Sequence, residues 1–164
     1  MEYLRLYRSP LGNLLLKADG TALVSLKFTG AAGILEGPAC PALLEGVRWL
    51  NLYFAGRDPG FTPAVHLEGS AFQLEVWRLL LEIPYGRLRT YGAIAADLAR
   101  RRGGRMAARA VGAAVGKNPL ELIVPCHRVV GRNGNLVGYA GGLDRKARLI
   151  RLEQGAEAGL GWPE

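Results

Sequence analysis

Apolar and polar positions alternate in three short runs near the start of the chain, Met1–Tyr7, Leu11–Ala18 and Ala22–Phe28, separated by Ser9-Pro10 and Asp19-Gly20. Successive strand residues face opposite sides, and Pro, Asp and Gly favour turns, so this pattern predicts an antiparallel meander. After a Gly/Ala-rich loop at Gly30–Pro38 the period changes. Leu43, Leu44, Val47, Leu50 and Phe54 recur at helical spacing, which predicts a helix from Pro41 to about Ala55 with Gly56 as its terminator.

Asp58-Pro59-Gly60 and Thr62-Pro63 break the pattern, and the domain boundary is placed within 58–69: an N-terminal α/β domain over 1–66 and a C-terminal domain over 67–164. Ser70 and Gln73 have the spacing of a capping box, and Phe72, Val76, Leu79, Leu80 and Ile83 form the apolar face of the helix that follows. Thr90 is placed to cap a helix over Tyr91–Arg101, which Gly103-Gly104 ends, and a further helix is expected over Met106–Val115. Two short helices around a tight Gly turn make a candidate helix-turn-helix. Leu120–Val124 reads as a buried strand or extended segment. Asn133-Gly134, between Arg128–Val130 and Leu136–Tyr139, predicts a hairpin, and Asp144–Gln154 a last helix, acidic at its start and basic later as the helix dipole favours. The fold class is α+β.

Charge sharpens this division. Residues 1–69 hold six Lys/Arg and six Asp/Glu, so the net charge of +7 lies entirely in the remainder of the 164 residues. A neutral first part and a basic second part point the C-terminal domain at a polyanion. No run reaches the roughly 20 apolar residues of a membrane span, and the start does not read as a signal peptide, so a cytoplasmic protein is expected. Cys40 and Cys126 are the only cysteines and His66 and His127 the only histidines, which suggests two free thiols and no metal site.

Cys126 lies in Pro125-Cys126-His127-Arg128-Val129-Val130. The nucleophilic form of cysteine is the thiolate, so a base or a positive neighbour is needed near neutral pH. His127, Arg128 and a carboxylate such as Glu153 are candidates for a Cys–His–Glu relay, although neighbours on an extended strand point apart, so Cys126 and His127 would meet only through a turn or a bridging water. The competing reading of Cys126 is a small buried hydrophobe.

This hexapeptide, with Ala107-Ala108-Arg109-Ala110-Val111-Gly112 and Asn118-Pro119 before it and Tyr139, Gly141-Gly142-Leu143 and Glu153 after it, resembles the active-site region of the O6-alkylguanine-DNA alkyltransferases, also called methylated-DNA–protein-cysteine methyltransferases. The likeness is close over about Ser70–Gly155 and one of layout before it. It implies a ribonuclease-H-like N-terminal domain and a winged-helix-like C-terminal one. It further implies a monomer that binds double-stranded DNA containing O6-alkylguanine, needs no cofactor, and is consumed by one transfer of the alkyl group to Cys126. On the same resemblance His127 takes the thiol proton through a water, Glu153 orients His127, Asn118 holds the active-site turn, and Tyr91 gives a proton to the departing guanine. Arg109 fills the stack vacated by the flipped base, and Thr90, Ala107, Ala108, Ala110 and Gly112 belong to the DNA-binding surface. Small residues suit close approach to the minor groove, whereas a base-reading major-groove helix would carry Asn, Gln or Arg along that face. Arg100, Arg101, Arg102, Arg105 and Lys117 are available for phosphates.

Val129, Tyr139, Ala140 and Gly141 are expected to line the alkyl pocket. Ala140 departs from the family, whose members often carry Ser there, which places substrate preference in question and not the reaction. Some relatives hold a structural zinc in the N-terminal domain; with only Cys40 and His66 as ligands none is expected here. Three other readings compete: a non-enzymatic alkyltransferase-like lesion binder, which lacks the cysteine; a winged-helix regulator, which needs a base-reading helix; and a cysteine hydrolase, which needs an oxyanion hole.

Overall fold

The computed structural model describes residues 2–31, 33–34 and 36–155; Met1, where the first predicted strand begins, lies outside them. The chain divides into two compact units. The first takes the chain up to Leu67 together with Pro119–Ile123 and the residues from Arg151 onward; the second comprises Glu68–Asn118 and Val124–Ile150.

In the first unit the alternating runs form β1 (Tyr3–Ser9), β2 (Gly12–Ala18) and β3 (Leu23–Phe28), an antiparallel sheet in the order β1-β2-β3. The second turn closes on Asp19, whose carboxylate accepts the backbone N–H groups of Thr21 and Ala22 at 2.9 and 3.0 Å. Helix α1 (Pro41–Phe54) packs on the sheet, with Pro41 in its first turn, where a missing N–H costs nothing. Gly46 permits the approach: a Cβ there would fall 2.9 Å from Leu16 Cδ2 and 3.0 Å from Leu23 Cδ1. Leu14, Leu16, Leu23, Leu26, Leu50, Tyr53 and Phe54 are fully buried in the resulting core.

The outer edge of β3 is covered by two single parallel bridges, to Val65 and to Leu120. Leu26 N–H donates to the Pro119 carbonyl and Glu121 N–H to the Leu26 carbonyl, both at 2.9 Å, and the buried Glu121 carboxylate accepts Phe28 N–H at 3.1 Å. The expected strand at Leu120–Val124 is thus a single bridging residue followed by a turn, in which Leu122 adopts φ 73°. Apolar residues in a row report burial, and a buried turn satisfies the same composition.

In the second unit the capping box forms as expected: Gln73 N–H donates to Ser70 Oγ at 3.1 Å and Ser70 N–H to Gln73 Oε1 at 2.9 Å, opening α2 (Ala71–Leu81). A short strand β4 (Arg89–Thr90) leads into α3 (Tyr91–Arg102), capped by Thr90 Oγ1, which accepts Ala93 N–H at 3.0 Å. Gly103, at φ 74°, ends α3 in the left-handed conformation that Gly adopts without penalty. Helix α4 (Ala108–Gly116) starts two residues later than predicted; its N-cap, Ala107, makes no side-chain capping bond, so no residue type marks the start. Trp77 Nε1 donates to the Ala114 carbonyl at 2.8 Å and ties α2 to α4.

The predicted hairpin is absent. Val129–Val130 form β5, but its partner is β4, in parallel, with Arg89 opposite Val129 and Thr90 opposite Val130. Asn133 (φ 59°) and Gly134 (φ 77°) do make a tight turn, yet Leu136–Tyr139 continue as irregular loop into α5 (Leu143–Glu153). The Asn-Gly signal is a turn signal, and it becomes a hairpin only where both flanks find each other. An antiparallel sheet domain joined to a helical domain with a helix-turn-helix, the α+β class, is what the chain forms.

Candidate active site

Every residue from Leu120 to Val130 is buried. Buried backbone must find partners, and over 124–130 it does so in short unlike pieces and not in one continuous strand or helix. The Val124 carbonyl accepts two donors, Cys126 N–H at 2.8 Å and Asn118 Nδ2 at 2.8 Å. Cys126–Arg128 then form one turn of 3₁₀ helix, closed by Arg128 N–H on the Pro125 carbonyl at 3.0 Å, before the chain runs into β5. Cys126 is 4% exposed and His127 is fully buried. The extended backbone considered from the sequence is therefore replaced by a turn. Arg128 is committed elsewhere: its guanidinium donates to the Ile83 carbonyl at 2.7 Å and lies 5.7 Å from the Tyr85 ring centroid.

The β4–β5 pairing brings the Cys126 turn beside the start of α3. Tyr91 is the first residue of α3, and it sits in the field of the Cys126 sulfur. Burial first, and then the charge of a Cys126 thiolate, push its phenol above the ordinary value, so it stays protonated at neutral pH. The phenol donates to the Val137 carbonyl at 3.3 Å. A second group shares that field. Lys146, on α5, is fully buried; burial draws its ammonium below the ordinary lysine value, and the Cys126 charge partly opposes this.

A cavity of about 600 Å³ opens over this region, lined by Tyr91, Gly92, Ala108, Arg109, Gly112, Gly131, Arg132, Val137 and Gly138. That volume lies within the roughly 300–1,000 Å³ usual for small-molecule sites. Helix α4 buries Val111, Ala114 and Val115 and leaves Ala108 and Arg109 exposed, with Ala107 exposed at its cap and Ala110 and Gly112 half-buried. Among the described residues no ion pair or hydrogen bond engages the Arg109 or Arg132 guanidinium.

Of the residues expected from sequence, Tyr91, Arg109, Ala108 and Gly112 line this one cavity. The hydroxyl of Thr90, expected at the DNA surface, is taken up as the α3 cap. Val129 is buried in β5, while Tyr139, Ala140 and Gly141 form the loop before α5, with Arg145 Nη1 donating to the Gly141 carbonyl at 3.1 Å. Glu153 falls in the first unit, where it accepts the Tyr53 hydroxyl at 2.6 Å. Sequence reasoning missed Val137, Gly138, Arg132 and Lys146. Leu136–Tyr139 reads as a hairpin strand from the sequence, and nothing local signals that a lysine three residues into a helix turns inward.

Fold and site define a two-unit protein whose candidate reactive group is a single buried cysteine on a tight turn. The family model for the 6-O-methylguanine DNA methyltransferase DNA-binding domain matches residues 71–155, and that for the ribonuclease-like domain of the same proteins matches residues 3–67. A methylated-DNA–protein-cysteine methyltransferase of Methanosarcina acetivorans is 43% identical over 92% of this chain and 97% of its own. One from Mycobacterium leprae is 43% identical over 94% and 93%. Among solved structures, Mycobacterium tuberculosis OGT in complex with DNA aligns with a TM-score of 0.80 at 43% identity, covering 93% of this chain and 92% of that one. The chain belongs to the 6-O-methylguanine DNA methyltransferase family.

Proposed function

We propose that this protein repairs O6-alkylated guanine in double-stranded DNA by moving the alkyl group to Cys126 in one irreversible step. The observation that carries the reading is the Cys126 turn itself, held by the doubly bonded Val124 carbonyl and near enough to act on Tyr91, which lines the cavity. The thiol proton leaves through a water to His127. The thiolate sulfur attacks the alkyl carbon, the S–C bond forms as the C–O6 bond breaks, and the departing guanine takes a proton from Tyr91. Expelling a neutral purine is easier than expelling an anion, and a phenol kept protonated can supply that proton. A thioether does not release the alkyl group, so each chain acts once.

DNA binding is proposed to rest on α4. Its exposed small residues admit close approach to the minor groove, and the uncommitted Arg109 guanidinium can occupy the gap left by an extruded base. Asn118 acts as a positioning residue through Val124, and Val129, Tyr139, Ala140 and Gly141 shape the region around the alkyl group. The protein is read as a cytoplasmic monomer; no described helix is long and apolar enough to cross a membrane.

The test is to incubate the protein with a duplex containing O6-methylguanine and to measure intact and peptide masses. One methyl group per chain on the Cys126 peptide is expected. Lesion binding without mass gain would point to a lesion-recognition protein, and repeated turnover to a hydrolase; either result overturns the reading.

A further inference from the structure

Lys146 is hard to account for as packing. A lysine ammonium is a compact, strongly hydrated charge, and a helix surface position normally leaves it in water. Here its side chain has no exposed surface, and the lost hydration is replaced by specific groups. Nζ donates to the Val137 carbonyl at 3.0 Å and to the Gly138 carbonyl at 3.1 Å, and it stands 5.8 Å from the centroid of the Tyr91 ring. Val137, Gly138 and Tyr91 all line the cavity. Gly138 holds φ 58°, so this wall is a tight piece of backbone gripped by two consecutive carbonyls.

One of those carbonyls has a second donor. The Tyr91 hydroxyl reaches Val137 at 3.3 Å, a longer bond from a neutral group than the charge-assisted one from Lys146. The wall is therefore anchored by Lys146, and the phenol is free to change partners. We propose that Lys146 is a positioning residue for the transfer: its buried ammonium pins the Val137–Gly138 wall and keeps the Val137 carbonyl satisfied while the Tyr91 hydroxyl turns to the departing guanine. This rests on the reading of Tyr91 as proton donor.

The experiment compares Lys146→Met, Tyr91→Phe and the double variant in single-turnover methyl transfer from an O6-methylguanine duplex at saturating protein, alongside affinity for undamaged duplex. Misplacement of a reacting group is costly, so Lys146→Met is expected to slow transfer roughly tenfold or more, with undamaged-duplex affinity held within about twofold. Residues acting through one another are not additive, so in the Tyr91→Phe background the same change should cost less than about threefold. An unchanged rate in Lys146→Met, or the full loss in both backgrounds, overturns the proposal. If Lys146→Met does not fold, hydrogen exchange of residues 137–139 in Tyr91→Phe decides. Protection equal to wild type is expected, and its loss overturns the assignment of Lys146 as anchor. Should the wild-type protein take no methyl from the duplex, the functional reading fails on that observation, while the exchange measurement still judges the anchor.

Discussion

In β2 each residue lies opposite a partner on β1, most also face one on β3, and the buried positions alternate with half-buried ones. From Leu120 to Val130, by contrast, nothing alternates and everything is buried; the backbone is held by one bridge, a shared carbonyl, a 3₁₀ turn and a two-residue parallel pairing. The sheet spreads its hydrogen bonds over many equivalent pairs. The irregular run depends on a few unlike ones, and in return it holds Cys126 in one orientation that no strand would give.

The contrast predicts a separation between stability and transfer. Cys126→Ala should abolish methyl transfer outright while leaving the melting temperature and duplex binding near wild type, measured by peptide mass, thermal melt and gel shift; loss of folding would mean the turn needs its sulfur. Leu16→Ala, in the fully buried centre of the sheet, should cost roughly 3 kcal/mol by cavity formation, yet leave transfer per folded molecule unchanged. Asn118→Ala should be milder in denaturant titration, about 2 kcal/mol, because the Val124 carbonyl keeps Cys126 N–H as donor. Its transfer per folded molecule should nevertheless fall, and equal behaviour of Asn118→Ala and Leu16→Ala would dissolve the distinction.

Smaller effects belong to regular elements. Ser70→Ala removes the α2 cap and should cost about 1 kcal/mol with no change in transfer rate. Asp97 is opposed by burial, but hydrogen bonds from Arg100 and Arg89 and the charge of Arg101 outweigh it and hold its carboxyl below the usual range. A depressed carboxylate contributes stability that is present above its unfolded value, about 4, and fades as pH falls through its folded value. The drop in melting temperature between pH 7 and pH 3 should therefore be slightly smaller in Asp97→Asn than in wild type.

What could be read in the sequence follows the same line. The meander, α1 and the Ser70–Gln73 box were legible because their causes lie within a few residues of one another. The start of α4 carries no capping side chain to mark it, and Leu120–Val124 reads as a strand or extended segment because an apolar run does not distinguish a ladder from a buried turn. The pairing of β4 with β5 joins residues forty positions apart through two residues each, too little pattern to detect. The site was legible chiefly as a resemblance. Cys126 and Arg109 stand in the motifs that carry the resemblance and Tyr91 is implied by it, whereas Lys146 is invisible because a charge on a helix is read as solvated unless the loop facing it is known.

The bridge from Leu26 to Leu120 bears on how such a protein can be dissected. The two family models meet between residues 67 and 71, as though the halves were separable cassettes, but the hydrogen bonds do not respect that seam. A fragment ending at Leu67 would leave β3 with bare amides at Leu26 and Phe28, and one starting at Ser70 would carry Leu120 and Glu121 with nothing to dock on. Exchange between relatives at this seam is expected to give a folded chain only if residues 119–123 travel with the N-terminal half.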